Sequence, residues 1–401
     1  MGATDASGPP TLADGGRRMS AAGVNARRFV IACGGTGGHL SPGIALAEAL
    51  LARGHGVTLF ISQKKVDARL VAHYAQLAVE RVPSAPFSWG PRGLLRFYAE
   101  QLKGLLFSLR FICAYQPDVI IGFGGFTSAA VVLAGWLRGI PVALHEANRI
   151  PGRAIRLLAW GAQRLYLPPG VALPGRRGRG VRPTGLPVRA DIMRQAPAVA
   201  RAQLGVDPTQ KLLVLLGGSQ GSSNLNQWAE DNWAALASAG IQLYCVTGLG
   251  KGQTGERSQV NHDGVVVRAW FEAFSDRVGV LLSAADLVVS RAGAGTLAEL
   301  VRCVAPAILL PYPQAADNHQ WANATYFVQQ GGGLVLAESA LPTLRAEVLR
   351  VLQADALLAQ FRAQLLRQAQ EDSLATMVPD LELLARGSPA RRRRESEKAV
   401  A

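Results

Sequence analysis

The sequence has no uninterrupted apolar run of about 18 residues, so no transmembrane helix is expected. Cysteine is scarce: four in 401 residues, at Cys33, Cys113, Cys245 and Cys303, with no CxxC pair. That spacing argues against a disulfide scaffold or a cysteine zinc site and fits a reducing compartment. Acidic residues are in deficit, 28 Asp and Glu against 42 Lys and Arg, for a net charge of +14. The excess points to an anionic partner: nucleic acid, anionic membrane or a phosphorylated substrate. Part of it lies in GRRGRG (175–180) and ARRRRESEK (390–398), which also read as a solvated loop and tail. The opening MGATDASGPPTLADGGRRMSAAGVNARR lacks the apolar core and cleavage pattern of a secretory signal, and is expected to be disordered.

What is present is strand–helix alternation in a chain that is 49% hydrophobic. RFVIAC, VTLFIS, VIIGF, PVALH and QRLYLP form one set of short apolar strands. KLLVLLGG, IQLYCVTG, GVVVRAW, LVVSRA and PAILLPYP form a second. Continuous apolar strands separated by helices predict parallel sheets covered on both faces. Two sets predict two doubly wound α/β domains, residues 28–187 and 188–385, with the boundary in RPTGLPVRADI (182–192). An N-terminal extension (1–27) and a basic tail (386–401) are expected to be disordered. TLRAEVLRVLQADALLAQFRAQLLRQAQ is the last long helical pattern.

Glycine clusters where strands hand over to helices: GGTGGH (34–39), GFGGFTS (122–128), GGSQGSSN (217–224) and SRAGAGTLAEL (290–300). Glycine permits positive φ and close approach of a ligand to backbone amides. Helix N-termini present free N–H groups and partial positive charge, which suit phosphate. One such turn is equally well explained by packing. Four point to more than one phosphate, held outside the carboxyl ends of the strands. The dinucleotide fingerprint is broken by Leu40 and lacks an acidic residue after VTLFISQKK. GLGKGQ (248–253) lacks the Ser or Thr of a P-loop.

His39 closes the first turn; an imidazole there either handles a proton near neutral pH or merely caps and packs. Glu299 falls on the first turns of a helix, where a carboxylate holds ribose hydroxyls or simply decorates a surface. DNHQWANA (317–324) and HEAN (145–148) each read as a hydrogen-bonding wall for a polyhydroxylated ligand or as a helix cap, with Asp317 or Asn318 as cap in the former. His55, His73 and His262 have no partners at metal-ligand spacing.

Taken in order, GGTGGHLSPGIALAEAL, GFGGFTS, HEANRIPG, TGLPVR, GGSQGSSNLN, SRAGAGTLAEL and PYPQAADNHQWANA resemble the MurG family of peptidoglycan glycosyltransferases, over about residues 28 to 385. The resemblance implies a GT-B fold: two Rossmann-like domains, each with a doubly wound parallel sheet, facing across a cleft. It implies inverting transfer of GlcNAc from UDP-GlcNAc to the C4 hydroxyl of lipid I, giving lipid II, with no cofactor and no metal. The absence of a DxD motif fits that. It further implies an acceptor-diphosphate cradle of Gly35, Thr36, Gly37, Gly38, Gly124 and Gly125. His39 and Asn148 would be catalytic, His39 as base or orienting group. The donor would be held by Arg189, Ser219, Gln220, Arg291, Ala294, Gly295, Thr296, Glu299, Gln320 and Asn323, with Thr36 and Asn148 at the shared cleft. The sequence departs from the family pattern at Phe126, Ala147, Ser222 and Gly295, where tyrosine, glutamine, alanine and leucine are usual. These departures bear on fine acceptor contacts.

A lipid-linked acceptor requires a bilayer surface. Segment 87–115 interleaves Trp89, Leu94, Leu95, Phe97, Leu105, Leu106 and Phe107 with Arg92, Arg96, Lys103 and Arg110; Trp136 and Arg138 add to it. The mixture suits either an anionic membrane surface or a core helix with a basic edge. The resemblance places the chain peripherally on the cytoplasmic face of the inner membrane, with a cell-wall synthesis complex as a partner. Nucleic acid is not expected, because the basic residues are not clustered with stacking aromatics. The alternatives are another GT-B enzyme with a lipid or small-molecule acceptor, and a non-catalytic nucleotide-sugar binder.

Overall fold

The computed structural model describes residues 26–34, 37–85, 90–176, 178, 180–218, 221–390 and 394. The first half runs β1 (Arg28–Ala32), α1 (Gly37–Ala52), β2 (Gly56–Ile61), α2 (Lys65–Ala72), β3 (Ala78–Arg81), α3 (Pro91–Tyr115), β4 (Val119–Gly122), α4 (Gly125–Leu137), β5 (Val142–His145), α5 (Arg153–Leu158), β6 (Arg164–Leu167) and β7 (Val181–Pro183). All pairings among these strands are parallel, in the order β3-β2-β1-β4-β5-β6-β7. Along β1, Phe29 and Ile31 enter one core while Val30 and Ala32 enter the other, the period of two that buries both faces of a sheet.

The second half runs α6 (Pro197–Leu204), β8 (Lys211–Leu216), α7 (Ser223–Ser238), β9 (Ile241–Val246), β10 (Gly255–Val260), β11 (Val266–Glu272), α8 (Val278–Ala284), β12 (Leu287–Ser290), α9 (Ala294–Cys303), β13 (Ala307–Leu309), α10 (His319–Gln329), β14 (Gly333–Val335), α11 (Leu344–Gln353), α12 (Asp355–Gln368) and α13 (Ser373–Arg386). Its sheet order is β10-β11-β9-β8-β12-β13-β14, parallel except for the β10–β11 pair. The expected five strands per half become seven. The added β3, β7, β10 and β14 lie toward the sheet edges and are short or polar, so they carry no continuous apolar signal. The long helical pattern near the end is broken at Ala354, whose backbone is non-helical (φ −97°, ψ 77°). The break lets Val348 and Val351 of α11 and Leu358 and Phe361 of α12 reach one core.

The C-terminal boundary needs correction. α13 does not belong with the second domain: Met377, Val378, Leu381 and Ala385 enter the core beside Phe29 and Ile31. Asp380 pairs with Arg164 (3.0 Å) and Arg182 (3.4 Å) and accepts from the Tyr166 hydroxyl (2.9 Å). Glu382 pairs with Arg53 (2.6 Å) and His55 (2.8 Å). The expected free tail also begins as structure, since Ala390 is buried on the first domain and Arg394 pairs with the buried Asp118 (2.6 Å). The rest of that tail and residues 1–25 lie outside the described residues.

In each sheet the strand order reverses once near the middle, between β1 and β4 and between β8 and β12. At such a point the helices after neighbouring strands leave on opposite faces and open a crevice at the strand C-termini. The described residues of all four glycine turns lie at these two points: Gly34, Gly37 and 122–125 at the first, 217–218, 221–222 and 291–294 at the second.

Candidate active site

The first crevice is built around His39 in the opening turn of α1. Gly124 and Gly125 both have positive φ (91° and 74°), where a side chain is strained. A Cβ at Gly125 would stand 3.3 Å from the Gly34 carbonyl oxygen and 3.4 Å from His39 Cδ2. The two glycine turns and the imidazole are therefore in mutual contact. Gly34 serves packing instead, since a Cβ there would stand 2.1 Å from the Ser62 amide nitrogen. His39 bonds the Phe123 backbone, and its Nδ1 is buried without a hydrogen-bond partner. The bond thus falls to Nε2–H, and Nδ1 carries the free lone pair. Burial lowers the His39 pKa below the usual imidazole value, and the nearby Glu146 charge opposes that shift. The neutral base is the result.

His145 is buried, its pKa pushed down to about 4 by desolvation, and its Nε2 lies 3.1 Å from the Gly185 carbonyl. It fixes the interdomain linker. Glu146 is also buried and closes the turn before α5, accepting from Asn148 N (2.8 Å), Asn148 Nδ2 (3.1 Å) and Gly152 N (2.7 Å). Held this way, Asn148 reaches the second domain, where its Oδ1 accepts from Asn323 Nδ2 (3.0 Å). Asn323 Oδ1 accepts from Arg149 N (2.9 Å), and the Arg149 guanidinium lies 3.9 Å from the Tyr326 ring centroid. Arg153 and Arg156 pair with Asp317 (3.4 and 2.9 Å). Asp317 and Asn318 both take left-handed backbone (φ 50° and 54°), and Asn318 makes no side-chain cap bond, so the expected side-chain cap on α10 is not formed.

The second crevice holds Ala294, Gly295, Thr296 and Glu299 on the first turns of α9. No atom lies within 4 Å of a Cβ placed on Gly295, so the glycine here answers no packing demand. Burial raises the Glu299 pKa to about 7, against the pull of Arg189. Arg189 donates to the Tyr74 hydroxyl (2.8 Å) and pairs with Asp191 (3.4 Å), which ties the linker to the first domain. Gln320 Oε1 accepts from Tyr312 N (2.9 Å). Arg291 is 8% exposed and its head group is engaged by Glu338, Ser222 Oγ (2.8 Å) and the Leu310 carbonyl (3.1 Å).

The structure thus gathers His39, Gly124 and Gly125 at one crevice and Arg291, Ala294, Gly295, Thr296 and Glu299 at the other. Asn148 and Asn323 bridge the two. Gly37 and Gly38 open α1. Gly35, Thr36, Ser219 and Gln220 lie outside the described residues. Glu146 reads in the sequence only as one member of the HEAN wall or helix cap, and Glu338 carries no sequence signal. Glu146 stands inside HEAN, where its neighbours carried the reading, and Glu338 is 47 residues from the arginine it holds. Among the described residues no group of three or more His, Cys, Asp or Glu side chains is arranged to hold a metal ion.

Two Rossmann-like domains with their glycine turns and polar walls at one cleft define a GT-B glycosyltransferase, a UDP-sugar hexosyltransferase. Residues 29–167 match the glycosyltransferase family 28 N-terminal domain and residues 212–376 the C-terminal domain of that family. A UDP-N-acetylglucosamine–N-acetylmuramyl-(pentapeptide) pyrophosphoryl-undecaprenol N-acetylglucosamine transferase of Opitutus terrae is 55% identical over 366 residues, 90% of this chain and 97% of that protein. The like-named protein of Verminephrobacter eiseniae is 37% identical, covering 84% of this chain and 92% of its own length. In fold, the chain is similar to Acinetobacter baumannii MurG (TM-score 0.67, 22% identity, covering 89% of this chain and 99% of that one). It is also similar to the glycosyltransferase SnogD of Streptomyces nogalater (TM-score 0.64, 20% identity, 90% and 100%). The chain belongs to glycosyltransferase family 28 and, within it, to the MurG family.

Proposed function

We propose that this chain transfers GlcNAc from UDP-GlcNAc to the C4 hydroxyl of undecaprenyl-diphospho-MurNAc-pentapeptide, inverting the anomeric centre. One observation carries the acceptor side: a half-buried neutral imidazole with an unpartnered Nδ1, packed against Gly124 and Gly125 at a strand-order reversal. The glycine amides and the α1 and α4 N-termini suit the acceptor diphosphate. His39 takes the proton of the C4 hydroxyl as its oxygen bonds to the anomeric carbon, while the bond from that carbon to the UDP oxygen breaks on the opposite face. Charge developing on the leaving diphosphate is met by the N-termini of α7 and α9. Glu299 accepts from the ribose hydroxyls. Asn148, oriented by Glu146, joins the two halves.

The lipid-linked acceptor brings the chain to the cytoplasmic membrane surface. No helix among the described residues is long and apolar enough to cross a membrane. On α3, Leu95 (73% exposed), Tyr98, Leu102 and Leu106 (53%) form an outward stripe at helical spacing. Exposed Arg92, Arg96, Lys103 and Arg110 run along one flank. Leu133 and Leu137 of α4 extend the exposed apolar area. Such a face suits peripheral, salt-sensitive binding to anionic lipid. Leu105 and Phe107 pack inward, as does Trp136, so those three are not part of it. Trp89 lies outside the described residues.

The test is transfer of labelled GlcNAc from UDP-GlcNAc to a short-chain lipid I analogue. A β-linked disaccharide on diphosphate is expected. No product, with UDP-GlcNAc still bound, would remove the acceptor assignment and leave a GT-B enzyme with another acceptor.

A further inference from the structure

We infer that Glu338, acting through Arg291, is a positioning residue that holds the starts of α7 and α9 at one spacing for the donor diphosphate. The inference rests on the donor reading above. Arg291 stands between β12 and α9. Its Nη2 donates to Ser222 Oγ (2.8 Å) and Glu338 Oε1 (3.0 Å), and its Nη1 to Glu338 Oε2 and the Leu310 carbonyl (3.1 Å). Ser222 is the N-cap of α7, and its hydroxyl also accepts from Leu225 N (3.4 Å). Glu338 comes from a 3₁₀ turn after β14 and takes a further bond from Asn224 Nδ2 (2.7 Å), in the first turn of α7. The segments after β8, β12, β13 and β14 therefore meet on one guanidinium.

The chemistry gives this arrangement a purpose. A free buried arginine beside a diphosphate would bind it directly and would follow it as it leaves. Here a two-point carboxylate pair occupies the guanidinium fork, so the arginine acts as a brace. The diphosphate is left to the free N–H groups of two helix N-termini. Those donors act together only while the helices keep their spacing, since displacements near 1 Å weaken such contacts strongly. Ser222 stands where the family usually has alanine. Its hydroxyl gives Arg291 an acceptor on α7 that alanine cannot supply.

The experiment measures binding of UDP and of uridine by calorimetry, with transfer kinetics alongside, for the full chain and for Glu338→Ala, Glu338→Gln and Ser222→Ala. Glu338→Ala is expected to weaken UDP at least about tenfold and uridine less than about twofold. KM for UDP-GlcNAc should rise more than kcat falls. Glu338→Gln keeps the shape and one acceptor and should recover part of the loss; Ser222→Ala should fall between. UDP bound as tightly or more tightly by Glu338→Ala would overturn the inference. So would equal losses for UDP and uridine, the mark of a general defect in the fold. An unmodified chain that binds no UDP would instead overturn the donor reading, and the inference with it.

Discussion

His39 is the residue to which the proposed mechanism assigns proton transfer. Its replacement by alanine should lower kcat by about 10²–10⁴-fold, with little change in KM for UDP-GlcNAc; steady-state kinetics with each substrate varied would check this. Because burial lowers its pKa, the base stays neutral through the neutral range. The acid limb of kcat/KM should therefore lie below the ordinary imidazole value of about 6.5. Glu299 behaves oppositely. Its pKa is raised to about 7, so it is largely protonated below that pH and ionised above it. A carboxylate accepts from hydroxyls better when ionised, so UDP-GlcNAc affinity should fall as pH drops through 7. Calorimetry across that range should show the slope, and Glu299→Gln should flatten it. Both residues stand out in the sequence as candidates, because each stands at a fixed offset from a glycine turn. Their electrostatics do not, because desolvation depends on what covers a side chain.

Elements divide the same sequence differently from its composition. On α3 the mixed apolar and basic letters sort into a buried face (Gly104, Ser108, Ile112) and an outward stripe (Leu95, Tyr98, Leu102, Leu106). The double variant Leu95→Asp, Leu106→Asp should lose co-sedimentation with anionic vesicles while binding UDP normally. Retained vesicle binding would remove α3 as the contact face. α13 offers a test of stability. Glu382 is held at a pKa of about 2, chiefly by its hydrogen bond from Arg53. The folded value lies below the unfolded one of about 4.3, so the stabilisation is present above that pH and is lost as pH falls toward 2. Melting temperatures of the unmodified chain and Glu382→Gln should therefore differ at neutral pH and converge near pH 2. The helical period of both helices was readable. The partner of α13 was not, since an amphipathic helix shows that it has an apolar face and not which sheet will cover it.

Across the whole molecule, the two domains meet through short polar contacts: Asn148 with Asn323, Arg149 over Tyr326, and Arg189 with Tyr74. Cation–π contacts of this kind contribute about 0.5–2 kcal/mol. Tyr326→Ala should widen the distribution of interdomain distances, measured by spin-label pairs on α1 and α10, and lower kcat because the two half-sites lose register. Tyr326→Phe should leave both unchanged. An unaltered distance distribution in the alanine variant would show that the remaining contacts, Asn148 with Asn323 and Arg153 and Arg156 with Asp317 among them, hold the cleft without the Tyr326 ring.

The sequence by itself determined the two-domain α/β architecture and the four glycine turns, and it marked His39 and Glu299 as candidates. These depend on local rules: strand alternation, helix period and the backbone freedom of glycine. Only the tertiary structure decided that α13 returns to the first sheet, that Arg291 pairs with Glu338, and that Asn148 and Asn323 bind one another across the cleft. Those contacts join residues 47 to 329 positions apart, from Arg291 and Glu338 to Arg53 and Glu382. Their pairing is set by which surfaces the packed sheets bring together, and a linear pattern does not carry that information.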